Sequence, residues 1–290
     1  MSMLIIGASG FVGQYLYHHF SQKDRVVGTY HSKPVPGFVQ FDVTNKAQVD
    51  QYITAYKPEI ILLPASNPNV EWCQDNGALS WQINVEGMIN VAKVAKDCGS
   101  KLVYYSTEYV FDGCHGPYSE EDSPHPISTY GWHKYIAEQS ILDIVPGAIG
   151  IRTTVVYGWQ PNGKNFADKF IKTLRAGNSF STPVDQYSSP TYVKTLVEAT
   201  DALLSKNCNG LYHVVGPQVM NRYEFALQIC DVFGLDKKLV IPKTTAELNQ
   251  HAPRPLRAGL RIDKLIKDTM YRPCTVLESL NHMKSTQPYE

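Results

Sequence analysis

Short apolar runs alternate with amphipathic segments over the first half of the chain. The runs predict strands, and the segments with apolar residues at helical spacing predict helices between them. The predicted strands are Met3–Ile6, Arg25–Tyr30, Phe38–Asp42, Ile60–Ala65, Lys101–Ser106 and Ala148–Arg152. The predicted helices are Phe11–Phe20, Lys46–Tyr56, Leu79–Cys98 and Tyr130–Ile144. This alternation predicts an α/β fold with a doubly wound parallel sheet covered by helices on both faces.

The regular alternation fades after Gly158. We therefore expect residues 1–158 to form the main domain and residues 159–290 to form a smaller portion that is mainly substrate-binding. The later predicted elements are helices Phe166–Ala176, Val193–Ser205 and Tyr223–Phe233 and the strand Leu211–Val215. The pattern leaves open whether residues 193–215 return to the first domain.

The first predicted strand runs directly into three glycines at three-residue spacing, Gly7, Gly10 and Gly13. A strand, a glycine-rich turn and a helix in this order are typical of a Rossmann-type dinucleotide site. The glycines allow a tight turn and a close approach of the pyrophosphate, and the first amides of the helix face the phosphates. The predicted cofactor contacts of this turn are Gly7, Ser9, Gly10, Phe11, Val12 and Gly13.

The composition of the 290-residue chain narrows the class further. The 27 basic and 27 acidic residues balance, so no basic excess indicates nucleic acid or a membrane surface as a partner. No apolar stretch is long enough to span a bilayer, and the N-terminus reads as a strand, so we expect a cytoplasmic protein. The six cysteines are irregularly spaced and are expected to be reduced, with no metal site among them.

A tyrosine and a lysine lie one helical turn apart at Tyr130 and Lys134, beyond a strand that ends in Ser106 and Thr107. A phenol has a pKa of about 10, and a nearby ammonium is expected to lower it. This spacing therefore predicts that Tyr130 is a proton donor, that Lys134 tunes its pKa, and that Thr107 holds a carbonyl oxygen in line with it.

The end of the second predicted strand indicates the choice of cofactor. No acidic residue occurs between Asp24 and Asp42, whereas NAD sites usually place a carboxylate there for the ribose hydroxyl. A 2′-phosphate would instead meet His31, Ser32 and Lys33. We therefore expect NADPH (NADP) rather than NADH.

Several motifs, taken in order, resemble the extended short-chain dehydrogenases/reductases and, more narrowly, the dTDP-4-dehydrorhamnose reductase family. The resemblance spans almost the whole chain. It is carried by Gly7-x-x-Gly10-x-x-Gly13, Asn84-Val85-Glu86-Gly87, Tyr105 to Gly113, Gly116 to Asp122, Tyr130-Gly131-x-x-Lys134, Gly163-Lys164-Asn165-Phe166, Asp185-Gln186 with Ser189 to Tyr192, and Tyr212-His213-Val214.

The resemblance implies a catalytic set of Thr107, Tyr130 and Lys134. Lys134 would also bind the nicotinamide ribose. Further cofactor contacts implied by the resemblance, together with Tyr130 and Lys134, are Asp42, Val43, Ala65 and Asn84. The implied substrate contacts are Thr107, Glu108, Tyr130 and Asn165.

The function expected from this resemblance is NADPH-dependent reduction of a nucleotide-linked 4-keto sugar. Glu108 replaces an Asp of the family, and Val155 replaces a Trp, so the sugar nucleotide itself stays open. A sugar-nucleotide epimerase is one alternative. A non-catalytic NADP-binding regulatory subunit, like the methionine adenosyltransferase β subunit, is another. A dehydratase is disfavoured, because Thr107-Glu108-Tyr109 carries one carboxylate where two are needed.

Two further points stay open at this stage. Glu120-Glu121-Asp122 offers carboxylates to magnesium, although a solvated acidic loop is the preferred reading. A homo-oligomer is compatible with the sequence, which contains nothing that sets the number of subunits.

Overall fold

The computed structural model describes residues 1–160 and 165–287. Gly163 and Lys164, which belong to one of the family-like motifs, lie outside the described residues. The strands are β1 Ser2–Ile5, β2 Arg25–Tyr30, β3 Val39–Gln40, β4 Ile60–Leu63, β5 Lys101–Thr107, β6 Ile149–Thr153, β7 Val156–Tyr157, β8 Phe180–Pro183, β9 Tyr187–Ser188, β10 Thr191–Tyr192, β11 Gly210–His213, β12 Met220–Asn221 and β13 Val240–Lys243.

The α-helices follow the same chain order. They are α1 Phe11–Phe20, α2 Lys46–Tyr56, α3 Val70–Asp75, α4 Gly77–Trp81, α5 Gly87–Cys98, α6 Thr129–Ile144, α7 Phe166–Arg175, α8 Val193–Ser205, α9 Arg222–Phe233, α10 Asp263–Thr269 and α11 Val276–Ser285.

Seven parallel strands form the central sheet in the order β11-β6-β5-β4-β1-β2-β3. The order reverses at β1, which lies between β2 and β4, with Leu4 opposite both Val27 and Ile61. The predicted doubly wound α/β fold is therefore confirmed. In such a sheet the ligand site lies beyond the carboxyl ends of the strands at this reversal, where β1 meets the glycine turn.

Successive residues of each buried strand face opposite sides of the sheet, and each side has its own apolar core. One core includes Leu4, Ile61, Leu102 and side chains of α2, α5 and α6. The other includes Met3, Leu62 and side chains of α1 and α8. Buried on both faces, the strands read as continuous apolar runs, which is typical of parallel sheets. Residues 193–215 thus contribute a covering helix and the edge strand β11 to this sheet.

Helices α7, α9 and α11 of the C-terminal portion build a third apolar core. Two small sheets, β8 with β13 and β9 with β12, flank it. The sequence pattern missed these short strands. Backbone hydrogen bonds join this portion to the loop after β5, since the amide of Arg257 donates to Gly113 (2.8 Å) and that of Tyr118 to Gly259 (2.8 Å). One wall of the ligand edge is therefore C-terminal.

Two predicted elements differ in extent from those observed. The strand expected over Phe38–Asp42 is reduced to Val39–Gln40, since the chain turns towards α2 after Gln40. The helix expected over Leu79–Cys98 begins at Gly77 and contains a π-helical turn over Gln82–Glu86 between α4 and α5. Such a turn often marks a functional site. Within the described residues, no helix has both the length and the apolar character needed to cross a membrane.

Candidate active site

The glycine turn has the tight geometry that its spacing predicts. Gly7 has a φ of 95°, and a Cβ there would lie 2.9 Å from the backbone of Ala65 at the end of β4. A Cβ on Gly13 would lie 2.1 Å from the carbonyl oxygen of Gly7. Both positions require glycine, because a side chain would force the helix and the neighbouring strand away from the turn.

The helix that follows the turn can hold phosphate. Helix α1 begins at Phe11, immediately after the exposed Gly10. The first amides of a helix, here those of Phe11, Val12 and Gly13, have no acceptor within the helix and lie at the positive end of its dipole. The neighbouring Ser9 amide is fixed by the carbonyl of Thr29 at 3.1 Å. These residues fit the diphosphate of a dinucleotide.

The end of β2 presents polar groups at the same edge. His31, Ser32 and Lys33 are exposed, and no acidic residue lies among them. The imidazole of His31 is 3.8 Å from a carboxylate oxygen of Asp42, whose other oxygen accepts hydrogen bonds from Thr44 at 2.7 and 2.9 Å. The groups expected around a 2′-phosphate are thus brought together, with Asp42 beside them.

The segment predicted to contact adenine, at Asp42 and Val43, is closely packed. Val43 is buried, and a Cβ on Gly87 would lie 2.6 Å from its side chain. The carbonyl of Val43 accepts a hydrogen bond from Asn90 at 3.2 Å. These contacts fix the segment after β3 against the start of α5. Whether Val43 contacts a cofactor stays a prediction.

Thr107 and Tyr130 meet at the carboxyl end of the sheet. Thr107 ends β5, and its hydroxyl caps the following turn by accepting the amide of Tyr109 at 3.2 Å. Tyr130 lies in the first turn of α6, which is capped by Ser128, and its phenol is close enough to the Thr107 hydroxyl for that hydroxyl to act on its pKa. The contact needs Gly131, since a Cβ there would lie 2.2 Å from the Tyr109 carbonyl oxygen.

The electrostatics of Tyr130 and Lys134 differ from the sequence expectation. The Lys134 ammonium donates to the carbonyl of Tyr105 at 2.6 Å and lies 4.2 Å from the centre of the Tyr104 ring. Burial lowers the pKa of Lys134 to about 7 and raises that of Tyr130, with the Thr107 hydroxyl opposing the rise. The expected lowering of the phenol pKa was wrong, because desolvation of the phenolate outweighs its stabilisation by the Thr107 hydroxyl. The phenol carries its proton at neutral pH.

Asn84 occupies the π-helical turn and is completely buried. Its side chain accepts the amide of Asn67 at 2.8 Å and donates to the carbonyl of the same residue at 3.1 Å. It also donates to Ser80, which is hydrogen-bonded to Nδ1 of His133 at 2.8 Å. Asn84 therefore ties the loop after β4 to helix α6, which carries Tyr130 and Lys134. This buried chain through Ser80 and His133 was not expected from the sequence.

Two predicted substrate residues have structural partners. Glu108 is 3% exposed and accepts a hydrogen bond from Thr154. Burial raises its pKa to about 8, so it is largely a neutral acid at pH 7. Asn165 caps α7 by accepting the Asp168 amide at 3.2 Å, and it donates to the carbonyl of Gly158 at 2.9 Å. Its role towards a substrate stays a prediction.

The acidic loop before α6 is engaged in hydrogen bonds to the protein backbone. Glu120 accepts the amide of His213 at 2.8 Å, and Asp122 accepts that of Ser119 at 2.6 Å. In the described part of the chain, no group of three or more potential metal ligands is found.

Sequence reasoning missed two arginines that the C-terminal portion brings to the site. Arg222 begins α9 and lies 5.6 Å from the Phe166 ring centre. Arg254 pairs with Glu71 at 2.6 Å and lies 5.9 Å from the ring centre of Tyr109. No local pattern marks either residue, since their relation to the sheet edge depends entirely on the tertiary fold.

The fold and the positions of Thr107, Tyr130 and Lys134 are those of an extended short-chain dehydrogenase/reductase. Residues 1–287 match the family described as the RmlD substrate binding domain, and the chain belongs to that family. The resemblance inferred from the motifs is thus confirmed.

Individual proteins that are similar to this chain include reductases and a subunit of methionine adenosyltransferase 2. A probable low-salt glycan biosynthesis reductase of Haloferax volcanii is 29% identical, with 91% of each chain covered. Methionine adenosyltransferase 2 subunit beta of Xenopus laevis is 31% identical, covering 91% of this chain and 81% of the relative. The crystal structure of a dTDP-4-dehydrorhamnose reductase from Bacillus anthracis in complex with NADP has a TM-score of 0.91, 29% identity, and coverage of 98% and 99% of the two chains. The predicted class, an NADP-linked oxidoreductase, is confirmed at the level of this family.

Proposed function

We propose that this protein is an NADPH-dependent reductase of a nucleotide-linked 4-keto sugar. The observation that carries the proposal is the proximity of the Thr107 hydroxyl to the Tyr130 phenol at the carboxyl edge of the sheet, where the glycine turn also lies. A protonated phenol and a hydroxyl side by side can hold and protonate one carbonyl oxygen.

Each residue then has a defined role. Bound NADPH supplies the hydride to the carbonyl carbon. Thr107 holds the carbonyl oxygen, and Tyr130 transfers its phenolic proton to that oxygen as it becomes an alkoxide. Lys134, fixed on the Tyr105 carbonyl, binds the ribose and stabilises the resulting phenolate, which regains a proton from solvent.

The choice of NADPH rests on the end of β2. His31, Ser32 and Lys33 offer donors to a 2′-phosphate, and no acidic residue occurs between Asp24 and Asp42. The Asp42 carboxylate lies 3.8 Å from His31 and accepts hydrogen bonds from Thr44. The reductase from Bacillus anthracis binds NADP, which supports the same choice. The sugar nucleotide would enter between the sheet edge and the C-terminal portion. A cytoplasmic location is part of this proposal.

The test compares Tyr130→Phe with Tyr135→Phe, which removes a phenol from the same helix outside the site. We expect Tyr130→Phe to lower NADPH oxidation driven by dTDP-4-dehydrorhamnose by roughly 100-fold or more. Calorimetric affinity for NADPH should change little. The proposal fails if both variants keep wild-type activity, or if the wild-type protein reduces no nucleotide-linked keto sugar.

A regulatory subunit is a second candidate, because vertebrate methionine adenosyltransferase 2 beta subunits are up to 31% identical to this chain. Its test is co-purification with a methionine adenosyltransferase catalytic subunit. A stoichiometric complex without any ketone reduction would favour regulation. An epimerase, in contrast, would turn over its sugar without net formation of NADP⁺.

A further inference from the structure

A buried acid lies directly beside the proposed catalytic pair without a complete set of partners. One carboxyl oxygen of Glu108 accepts a hydrogen bond from Thr154, whereas Oε2 has no partner within residues 1–160 and 165–287. The side chain is 3% exposed and its pKa is raised to about 8, so one oxygen carries a proton at pH 7. A buried donor without an acceptor destabilises the protein. Such a group in a cleft is suited to a ligand.

A second unmatched donor faces the same region. Burial lowers the pKa of the Arg222 guanidinium, and Glu108, when ionised, opposes that lowering, so the two groups lie close enough to interact. Across the described residues, its guanidinium has a ring contact with Phe166 but no ion pair or hydrogen bond. Arg254, in contrast, is neutralised by Glu71. Arg222 is therefore a partly buried cation whose donors are available to a ligand.

The position of these donors relative to the reacting group can be traced through the chain. Glu108 follows Thr107, whose hydroxyl is close enough to Tyr130 to lower the pKa of its phenol. The ring centres of Tyr109 and Tyr130 are 5.7 Å apart. Arg222 lowers the pKa of Tyr109, and Glu108, when ionised, raises it. Glu108 and Arg222 therefore both lie near Tyr109, on the side of the cleft where its ring packs against that of Tyr130.

The chemistry of the two groups selects their ligand. A neutral carboxyl and a guanidinium both donate, so the complementary group must accept hydrogen bonds and carry negative charge. A carboxylate offers two coplanar oxygens, which match the guanidinium fork, and it neutralises the arginine. A sugar hydroxyl would accept a hydrogen bond but would bring no negative charge to the partly buried arginine.

We propose that Glu108 and Arg222 form a carboxylate subsite beside the reacting carbonyl, so that the preferred substrate is the nucleotide of an acidic sugar. This inference rests on the proposed function, because it requires a sugar nucleotide in the cleft. It assigns Arg222 to the sugar rather than to the diphosphate, since Glu108 adjoins the residues that hold the carbonyl.

Calorimetry on the NADP⁺-loaded protein tests the subsite. The probes are UDP-glucose against UDP-glucuronate and the same pair with dTDP, whose members differ only in the sugar carboxylate. We expect at least tenfold tighter binding of the glucuronate at pH 7. Arg222→Gln should abolish this preference, whereas Arg272→Gln, which removes an exposed arginine, should leave it unchanged.

The pH dependence separates the role of Glu108 from that of Arg222. The groups facing Glu108 are Thr154, Arg222, Tyr109 and Tyr130. Above pH 8 the ionised Glu108 repels the ligand carboxylate, so the wild-type preference should fall between pH 7 and pH 9. Glu108→Gln keeps a neutral donor, and its preference should not change over that range.

Three results would overturn the inference. Equal affinity of the wild-type protein for glucose and glucuronate nucleotides excludes the subsite while leaving the reductase intact. Equal weakening of both members of a pair by Arg222→Gln, with the preference retained, assigns the arginine to phosphate instead. If no sugar nucleotide binds to the wild-type protein, the proposed function fails together with the subsite. Circular dichroism establishes that each variant is folded.

Discussion

The contact between Gly131 and the turn after β5 offers a direct test of how Tyr130 is positioned beside Thr107. In Gly131→Ala the new Cβ would lie 2.2 Å from the carbonyl oxygen of Tyr109 and 3.1 Å from its carbon. The first distance is about 1 Å short of ordinary van der Waals contact, so helix α6 or the turn must shift by about that amount. The shift separates Tyr130 from Thr107, because the two lie on opposite sides of this contact.

Two quantities follow from this shift. A misplacement of about 1 Å can cost roughly 100-fold in rate, so we expect kcat/KM for ketone reduction to fall by about that factor. Overpacking should lower the free energy of unfolding by about 1–3 kcal/mol. Urea denaturation and steady-state kinetics measure the two effects separately.

The matched control is Gly147→Ala. A Cβ on Gly147 meets no heavy atom within 4 Å of it, so this variant should keep full activity and have unchanged or slightly greater stability. If Gly131→Ala behaves like Gly147→Ala in both assays, then the close approach does not position Tyr130, and the reasoning is refuted.

Three further predictions concern charge. Burial raises the pKa of Glu108 from 4.5 to about 8, so the contribution of its protonated form to the free energy of unfolding is present at pH 4.5 and is lost as the pH rises through 8. Glu108→Gln cannot ionise, so its free energy of unfolding, measured by urea titration, should rise relative to wild type by on the order of a few kcal/mol between these pH values. Glu138→Gln leaves the buried Arg152 without its carboxylate and should cost about 3–5 kcal/mol by urea denaturation, whereas Asp263→Asn in an exposed pair should cost less than about 1 kcal/mol. Lys33→Glu should raise KM for NADPH about tenfold or more and leave that for NADH unchanged; an unchanged NADPH-to-NADH ratio would contradict the assigned phosphate contact.

The central sheet could be predicted because its signals are local. Each buried strand is a short apolar run, and the turn at Gly7 to Gly13 fixes where the first strand meets the first helix. The short strands β8 and β13 could not be predicted in this way. They are four residues each, and they pair across about sixty positions of sequence. Their pairing depends on the C-terminal core rather than on their own pattern.

The residues of the candidate site could also be predicted from the sequence, but the environment of each side chain could not. The spacing of Tyr130 and Lys134 places them on one helical face, and the tertiary fold then directs the ammonium to the Tyr105 carbonyl. Val155 shows the same limit. It adopts a φ of 45°, which is unfavourable for a β-branched residue, and it follows Thr154, which donates to Glu108. A strained backbone of this kind persists only when the surroundings impose it.

Burial changes the charge of the whole site, not only that of one residue. It raises the pKa of Tyr130 and of Glu108 and lowers that of Lys134 to about 7, so each of these groups moves towards its neutral form at pH 7. Arg254 is paired with Glu71, which leaves the guanidinium of Arg222 as the group that keeps a full, unpaired charge among these residues. Attraction of an anionic substrate to this side of the cleft therefore depends on one arginine from the C-terminal portion. In this proposal Tyr130 at the sheet edge transfers the proton, and Arg222 of the C-terminal portion supplies the positive charge that attracts an anionic substrate.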